Sequence, residues 1–392
     1  MSRLLMLLPS VPAPLDSGAK IRNQGFLKLL GCEHEVDAIA FGEPTEESEL
    51  GRLARRATVV PRPTTRTIAR RAVDLARSDL PDMAARLWSP TFRDTVRCAL
   101  RHRAYDAVQA EGIEMARYLD AVPPRRRIYD AHNAEFMLQR LLAENNSGGA
   151  AALYSRLQWR RLERFEGDLV RTSRLTLAVS HHDANQLISL AGWPANVQVV
   201  PNAVDAAAYP FRLPPPQVEP NVLFLGKLDF RPNSQGVGRL IEEVLPHLDD
   251  VTLFAVGAAP PRWLIKAGQH NPRIAVTGYV DDDRPYMARC AAMVLPLQTG
   301  GGSRLKALIA MASGLPLVST RFGMQGLDAE PETHYVLAES TPEWLLALKR
   351  LFGEAGLRQR LARNARDLVE RRYDWSAIRA EVRAAYAWLD TA

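Results

Sequence analysis

Between Met293 and Pro316 the chain reads MVLPLQTGGGSRLKALIAMASGLP, with three consecutive glycines, Gly300 to Gly302, between an apolar run and a helix-forming run. Glycine lets backbone amides approach an anion closely, a helix N-terminus carries roughly half a positive charge, and Arg304 and Lys306 add two whole ones. Ser303 is placed to cap that helix, whose apolar residues Leu305, Leu308, Ile309 and Ala312 recur at helical spacing as far as the stop at Gly314-Leu315-Pro316. The combination suits a phosphorylated ligand, a diphosphate above all. It follows neither the Walker pattern nor G-x-G-x-x-G, and the plainer alternative is a strand, turn and helix with a solvated arginine and lysine.

Other residues offer chemistry at the ends of apolar runs. Gly18, in LDSGAK, permits close backbone approach to a ligand; Lys20 and Arg22 follow it either as ligand cations or as solvated charges on a loop. His132, in DAHNAE, needs a partner to do acid–base or positioning work. Asp130 and Glu135 are candidates to orient its ring, and Glu135 serves equally as a first-turn residue complementing a helix dipole. Lys227 stands directly after Gly226, where a cation would stabilise a departing diphosphate, with Arg231 and Asn233 a few residues on. The run Asp281-Asp282-Asp283 precedes a helix near Pro285 and fits capping rather than metal binding. His181-His182-Asp183 follows Ser180 at another helix start and lacks a third ligand at suitable spacing, so no metal site is expected. Cys32, Cys98 and Cys290 form no close pair and read as reduced thiols, Cys290 as core rather than nucleophile.

The elements that must hold these residues are apolar runs alternating with helical patterns, twice over. Leu4–Leu8, Val36–Phe41, Ala107–Gln109, Ile128–Asp130, Leu175–Val179 and Val197–Val200 read as strands of one sheet. Val222–Leu225, Val251–Val256, Ile274–Thr277, Met293–Leu297 and Pro316–Ser319 read as strands of a second. Such alternation implies α/β architecture with two doubly wound parallel sheets, whose ligands bind beyond the carboxyl ends of the strands. The expected division is residues 1–205, residues 206–370 and a closing helix in residues 371–392, with the proline-rich stretch 210–220 as the connection. That closing helix carries a single apolar stripe, Ile378, Val382, Ala385 and Leu389.

At 392 residues and 47% hydrophobic, the chain is long enough for two cores. No apolar run reaches the roughly 18 residues of a membrane span, and residues 4–9 lack the length and cleavage site of a signal peptide, so a cytoplasmic protein is expected. The net charge of +6 is uneven: Arg52 to Arg77 holds eight arginines against the single acidic residue Asp74. That region is either a solvated face or a peripheral contact with an anionic membrane, at the inner face of the plasma membrane. It has no interleaved stacking aromatics, which argues against nucleic acid.

Residues 296–320 resemble the donor-binding stretch of retaining glycosyltransferases of family four, of the form G-x-G-x-R-L-K-x-L-E-A-M-A-x-G-x-P-V-V. Further landmarks fall in that family's order: PLDSGAKIRN (14–23), YDAHNAEF (129–136), LAVSHHDANQL (177–187), VVPNAVD (199–205), VLFLGKLDFRPN (222–233) and VTGYVDD (276–282). The resemblance implies a GT-B enzyme of two Rossmann-like domains, acceptor side first and donor side second, with the closing helix crossing back to the first domain. It implies transfer of a hexose-like unit from a nucleotide diphosphate sugar to a hydroxyl acceptor, possible without metal or other cofactor. His132 and Lys227 then serve the reaction, and Gly18, Tyr279, Val280, Gly301, Gly302, Ser303, Arg304, Leu305, Lys306 and Ile309 the donor. The subgroup it resembles assembles exopolysaccharide or other cell-envelope glycans, with lipid-linked acceptors in view; tailoring of a secondary metabolite is the neighbouring alternative. The chain departs from the pattern at Ile309, where the family carries a glutamate, and at Gly301, where another is common. Those departures keep a different class in play, a non-catalytic sugar- or nucleotide-binding protein of the same fold.

Overall fold

A computed structural model of the chain describes residues 1–144, 149–192, 195–299 and 304–391. It contains two parallel sheets. The first has seven strands, β1 (Arg3–Leu8), β2 (Glu35–Phe41), β3 (Arg56–Val60), β4 (Ala107–Glu111), β5 (Arg127–Ala131), β6 (Leu175–Ala178) and β7 (Val197–Val199), in the order β3-β2-β1-β4-β5-β6-β7. The second has six, β8 (Asn221–Leu225), β9 (Thr252–Val256), β10 (Ile274–Gly278), β11 (Ala292–Leu295), β12 (Leu317–Ser319) and β13 (Val336–Leu337), in the order β10-β9-β8-β11-β12-β13. Helices cover parallel sheets on both faces, so their central strands are apolar throughout rather than alternating; Leu4 to Leu8 are all buried, as are Ala292 to Leu295. In each sheet the winding reverses beside the first strand, between β1 and β4 and again between β8 and β11. At such a switch point adjacent loops diverge and leave a crevice at the carboxyl edge.

Two of these strands escape a reading of apolar runs. β3 lies inside the arginine-rich segment, at the sheet edge, and only Val60 among its residues is fully buried. β13 is two residues long.

Backbone contact divides the chain into two compact units. One comprises Met1–Asn202 with Ile378–Ala392, the other Ala203–Gly300 with Arg304–Ala377. The division falls at Asn202, ahead of the proline-rich stretch, which belongs to the second unit and is pinned there. Arg358, wholly buried, donates to Pro215 O at 2.9 Å and Pro216 O at 2.8 Å through Nη2, and to Leu351 O and Phe352 O through Nη1. Gln359 donates to Pro214 O at 3.1 Å. Proline cannot donate, but its carbonyls accept, and one guanidinium gathers those of an extended strand no sheet could use.

The segment from Ile378 packs within the first unit. Its stripe Ile378, Val382, Ala385 and Leu389 is buried, Tyr386 Oη donates to Gln109 Oε1 on β4, and Ser2 Oγ donates to Leu389 O at 2.8 Å.

Because Arg358 satisfies four carbonyls at once, Arg358→Met is expected to destabilise the second unit by roughly 1–3 kcal/mol, the cost of leaving buried acceptors unpaired. Calorimetric melting should show a fall of several degrees; an unchanged transition would mean that water replaces the guanidinium without loss.

Candidate active site

In the first unit the register of the sheet sets Glu111 beside Asp130 at the carboxyl ends of β4 and β5, both fully buried. Two carboxylates so placed cannot both stay charged without a cation. Arg22, from the helix Gly18–Gly31 that follows β1, supplies it: Nε and Nη2 each donate to one oxygen of Asp130 at 2.7 Å. Its remaining nitrogen, Nη1, donates to Val200 O at 3.0 Å, Pro201 O at 3.2 Å and Asn202 Oδ1 at 3.3 Å. Arg22 is therefore neither a solvated loop cation nor placed to meet a ligand; at 1% exposure it is a core residue. Lys20 pairs with Asp16 at 3.1 Å, and Gly18 opens the helix as its first residue.

His132 stands one residue beyond β5 with Nε2 3.4 Å from Glu111 Oε2 and 3.6 Å from Asp130 Oδ2. Burial works against its imidazolium, yet Glu111 and Asp130 outweigh burial and hold its pKa above the ordinary value. Burial and then the neighbouring Asp130 push Glu111 up to about 7, whereas burial of Asp130 is overridden by Arg22, which keeps that carboxyl below its usual range. Glu111, Asp130 and His132 bring three ligand atoms within 4.8 Å of one another. Both oxygens of Asp130 are already committed to Arg22, so the set fits an internal ion network better than a metal.

Of the two partners expected for His132, Asp130 is close, while Glu135 accepts from Asn133 Nδ2 at 3.0 Å in the first turn of the helix Glu135–Glu144. Glu111 is the partner that motif reading passes over. Its only signal is an acidic residue closing an apolar strand, in AVQAEG.

In the second unit the loops after β8 and β9 meet backbone to backbone. Gly226 has φ +147° and Gly257 φ +149°, and a Cβ on Gly257 would lie 1.9 Å from Gly226 O. A Cβ on Gly226 would meet Lys306 Nζ at 2.9 Å and Asn233 Nδ2 at 3.0 Å. Lys306 Nζ donates to Asn233 Oδ1 at 2.7 Å, lies 5.1 Å from the centre of the Phe224 ring, and has its pKa lowered to about 7 by burial and then by Arg304. Asn233 Nδ2 donates in turn to Lys227 O at 2.8 Å. Asn233, read from sequence as a turn residue, is 5% exposed and joins the loop after β8 to the helix Leu305–Ser313.

The other expected residues divide. Arg304 immediately precedes that helix with left-handed backbone, φ +50°, and lays its guanidinium 4.8 Å from the centre of the Phe322 ring. Leu305 and Ile309 are buried on the helix, Ile309 at 7% exposure. Lys227 is exposed, 3.4 Å from Asp229. Tyr279 is 52% exposed and Val280 half-buried, just beyond β10. Gly301, Gly302 and Ser303, with Gly300, lie outside the described residues. Asp282 accepts from Arg284 N at 3.0 Å and pairs with its side chain, and Ser180 Oγ accepts from Asp183 N, so both stretches contribute a group to a helix start. In the basic segment, Arg66 pairs with Asp74 and Asp82, Arg70 with Asp74, Arg71 with Asp82, and Arg55 with Glu35.

Residues 28–208 match the model of Glycosyltransferase Family 4, and residues 219–354 that of Glycosyl transferases group 1. The chain belongs to the glycosyltransferases of this family-four, GT-B type. Over 248 residues it is 27% identical to a glycogen synthase of Mycobacterium tuberculosis, a match covering 58% of this chain and 57% of that one, so the chain spans little more than half the length of that relative. The fold is shared with sucrose-phosphate synthase of Thermosynechococcus elongatus, at a TM-score of 0.75 and 16% identity over 99% of both chains. It is shared also with Anabaena HepE in complex with UDP-glucose, at 0.69 and 16% over the whole of both chains. No helix among the described residues is long and apolar enough to cross a membrane.

Removing Arg22 should leave Asp130 charged and buried. Arg22→Met is expected to cost about 3–5 kcal/mol in urea unfolding, and Asp130→Asn in the same chain to recover much of it. The loss should shrink towards low pH. In the single variant Asp130 folds with a raised pKa, and the stability it contributes as a neutral acid is present below the unfolded value and lost as the pH rises. A pH-independent loss would point to packing instead.

Proposed function

We propose that the chain is a retaining glycosyltransferase that moves a sugar from a nucleoside diphosphate sugar to a hydroxyl acceptor in cell-envelope or exopolysaccharide glycan assembly. The observation that carries this reading is Lys306: a largely buried ammonium, beside a second cation, whose partner is the neutral Asn233 rather than a carboxylate. Such a group is stabilised by an incoming anion, and Gly226, after β8, leaves backbone rather than side chain on one side of it. The family membership makes a diphosphate the natural anion, and HepE, of the same fold, is known in complex with UDP-glucose.

In this reading Lys306, Arg304 and the helix start hold the diphosphate and stabilise the charge that develops on it as the sugar departs, with Lys227 near at hand on the loop after β8. Tyr279 and Val280 line the base, Gly18 approaches the ligand by its backbone, and His132 acts at the sugar. The departing phosphate assists the incoming hydroxyl on the same face, which retains configuration and leaves the protein chiefly to position groups. Cations and amides fixed in the chain supply the charge stabilisation that a divalent ion would otherwise give, so turnover is proposed to be metal-independent and to need no cofactor. A lipid-linked acceptor at the membrane rests on Arg52–Arg77, where pairing with Asp74 and Asp82 reduces the charge on offer.

Ile309 favours one other reading, a binding protein of this fold without the reaction. An apolar residue stands where a carboxylate would hold hydroxyls, while Arg304 and Lys306 remain to meet a diphosphate.

Binding of the nucleotide sugar should recharge Lys306. Above about pH 7 complex formation is then expected to take up a proton, and below it not, since the free lysine is already charged there. Calorimetry in buffers of different ionisation enthalpy measures this uptake; Lys306→Ala should abolish it and weaken binding at least tenfold. Uptake unchanged in the variant would remove Lys306 from the site.

Incubation with a panel of nucleotide sugars separates transferase from binder, with released nucleotide expected for one donor. Ile309→Glu is expected to lower the melting temperature without tightening binding, because the position is buried among apolar neighbours. Tighter binding together with activity absent from the wild type would favour the non-catalytic reading.

A further inference from the structure

Three buried groups stand in line behind His132, and a fourth joins from the side. Tyr386 Oη on the C-terminal helix donates to Gln109 Oε1, Gln109 Nε2 donates to Glu111 Oε1, and Glu111 Oε2 faces His132 Nε2 at 3.4 Å. Asn23, its amide turned so that nitrogen meets acceptors, donates to the same Oε2 at 2.8 Å and to Ala19 O at 3.0 Å. Asn23, Gln109, Glu111 and Tyr386 are all 0–1% exposed.

We infer that Glu111 is a positioning residue for His132, holding the ring with Nε2 turned into the protein and Nδ1 turned towards the bare backbone of Gly112. The inference rests on the reading of His132 as the residue at the transferred sugar. Gly112 places that edge: its φ of +80° suits glycine, and a Cβ there would lie in van der Waals contact with the ring, 3.5 Å from Nδ1, and only 3.0 Å from Glu114 Oε2.

The charges around the ring single out Glu111. On β5, Asp130 is matched by Arg22; beyond Gly112, Glu114 is matched by Arg86; at the next helix start Glu135 accepts from Asn133, with Asp183 beside it accepting from Ala134 N. Tyr386 stays a neutral phenol, held well above its ordinary pKa by burial. Among the described residues Glu111 meets no arginine at hydrogen-bond distance; its donors are two neutral amides and the imidazole, and the carboxyl of Asp130 faces it. A buried carboxylate held by neutral groups is costly to keep, and an apolar side chain would pack there without that cost. Its use is to fix the tautomer and orientation of the histidine, as the hydrogen bond at one ring nitrogen decides what the other can do.

The test is an NMR titration of the full chain carrying isotope-labelled histidine, with the His132 signal assigned by its loss in His132→Ala. In Glu111→Gln the pKa of His132 is expected to fall by roughly 1–3 units, the span for losing an opposite charge at this range. In Glu111→Asp, which keeps the charge, it should stay close to wild type. In transfer assays kcat should drop in both variants more than KM for the donor, and the pH profile should move only in Glu111→Gln. An unmoved His132 titration in Glu111→Gln overturns the inference. A moved titration with an unmoved pH profile and full kcat upholds the Glu111–His132 coupling and overturns the placement of His132 at the sugar. Should Glu111→Gln fail to fold, Tyr386→Phe reads the same titration from the far end of the line: a smaller drop supports the inference, and none overturns it.

Discussion

The bond between Arg22 and Asp130 joins two points 108 residues apart and settles the carboxyl edge of the first sheet. Asp130 closes β5, Arg22 comes from the helix after β1, and the third nitrogen of the guanidinium holds the chain at Val200 to Asn202, where it passes into the second unit. One cation thus ties a strand end, a helix and an exit point. It also divides labour between two adjacent carboxylates: Asp130 is neutralised, and Glu111 is left to the histidine. Without that division, two carboxylates at the ends of neighbouring strands would compete for one proton.

The second sheet solves the same problem by removing material. Its switch point lies between β8 and β11, and on the other side of β8 the loop carrying Gly226 meets the loop after β9 at Gly257, backbone to backbone. The missing Cβ of Gly226 also leaves room for Lys306 Nζ, which it would otherwise meet at 2.9 Å. The result is a largely buried lysine held in place by an asparagine, which can orient an ammonium without neutralising it. Both units therefore place charged groups at the carboxyl edges of their parallel sheets, a paired arginine and aspartate in one and a lysine held by an asparagine in the other.

Much of this was legible in the sequence because parallel strands are apolar runs and their loops carry glycine. The order of runs and helices implies two doubly wound sheets, and the residues after Leu225 and before Leu305 announce cations beside glycines. The exceptions have physical causes. β3 is an edge strand written in arginine, and β13 is too short to show a pattern. Arg22 looks like any loop cation until its partner is known, since pairing across the sheet leaves no mark on local spacing. Glu111 and Asn233 were hidden for the same reason: each matters through a neighbour distant in sequence. The proline-rich stretch reads as a free connection, and only Arg358 shows that it is fastened down.

The return of the segment from Ile378 to the first unit has a consequence for how the chain is made. The first unit is interrupted: its second piece leaves the ribosome only after the whole of the intervening unit. Until then the seat for Ile378, Val382 and Leu389 is vacant, Gln109 lacks its tyrosine, and an apolar face stays open to solvent and to chaperones. Prematurely ended chains would display that face permanently. Completion of the first unit is thereby deferred until after the second has been made, so a chain cut short between Asn202 and Ile378 carries an unfinished core.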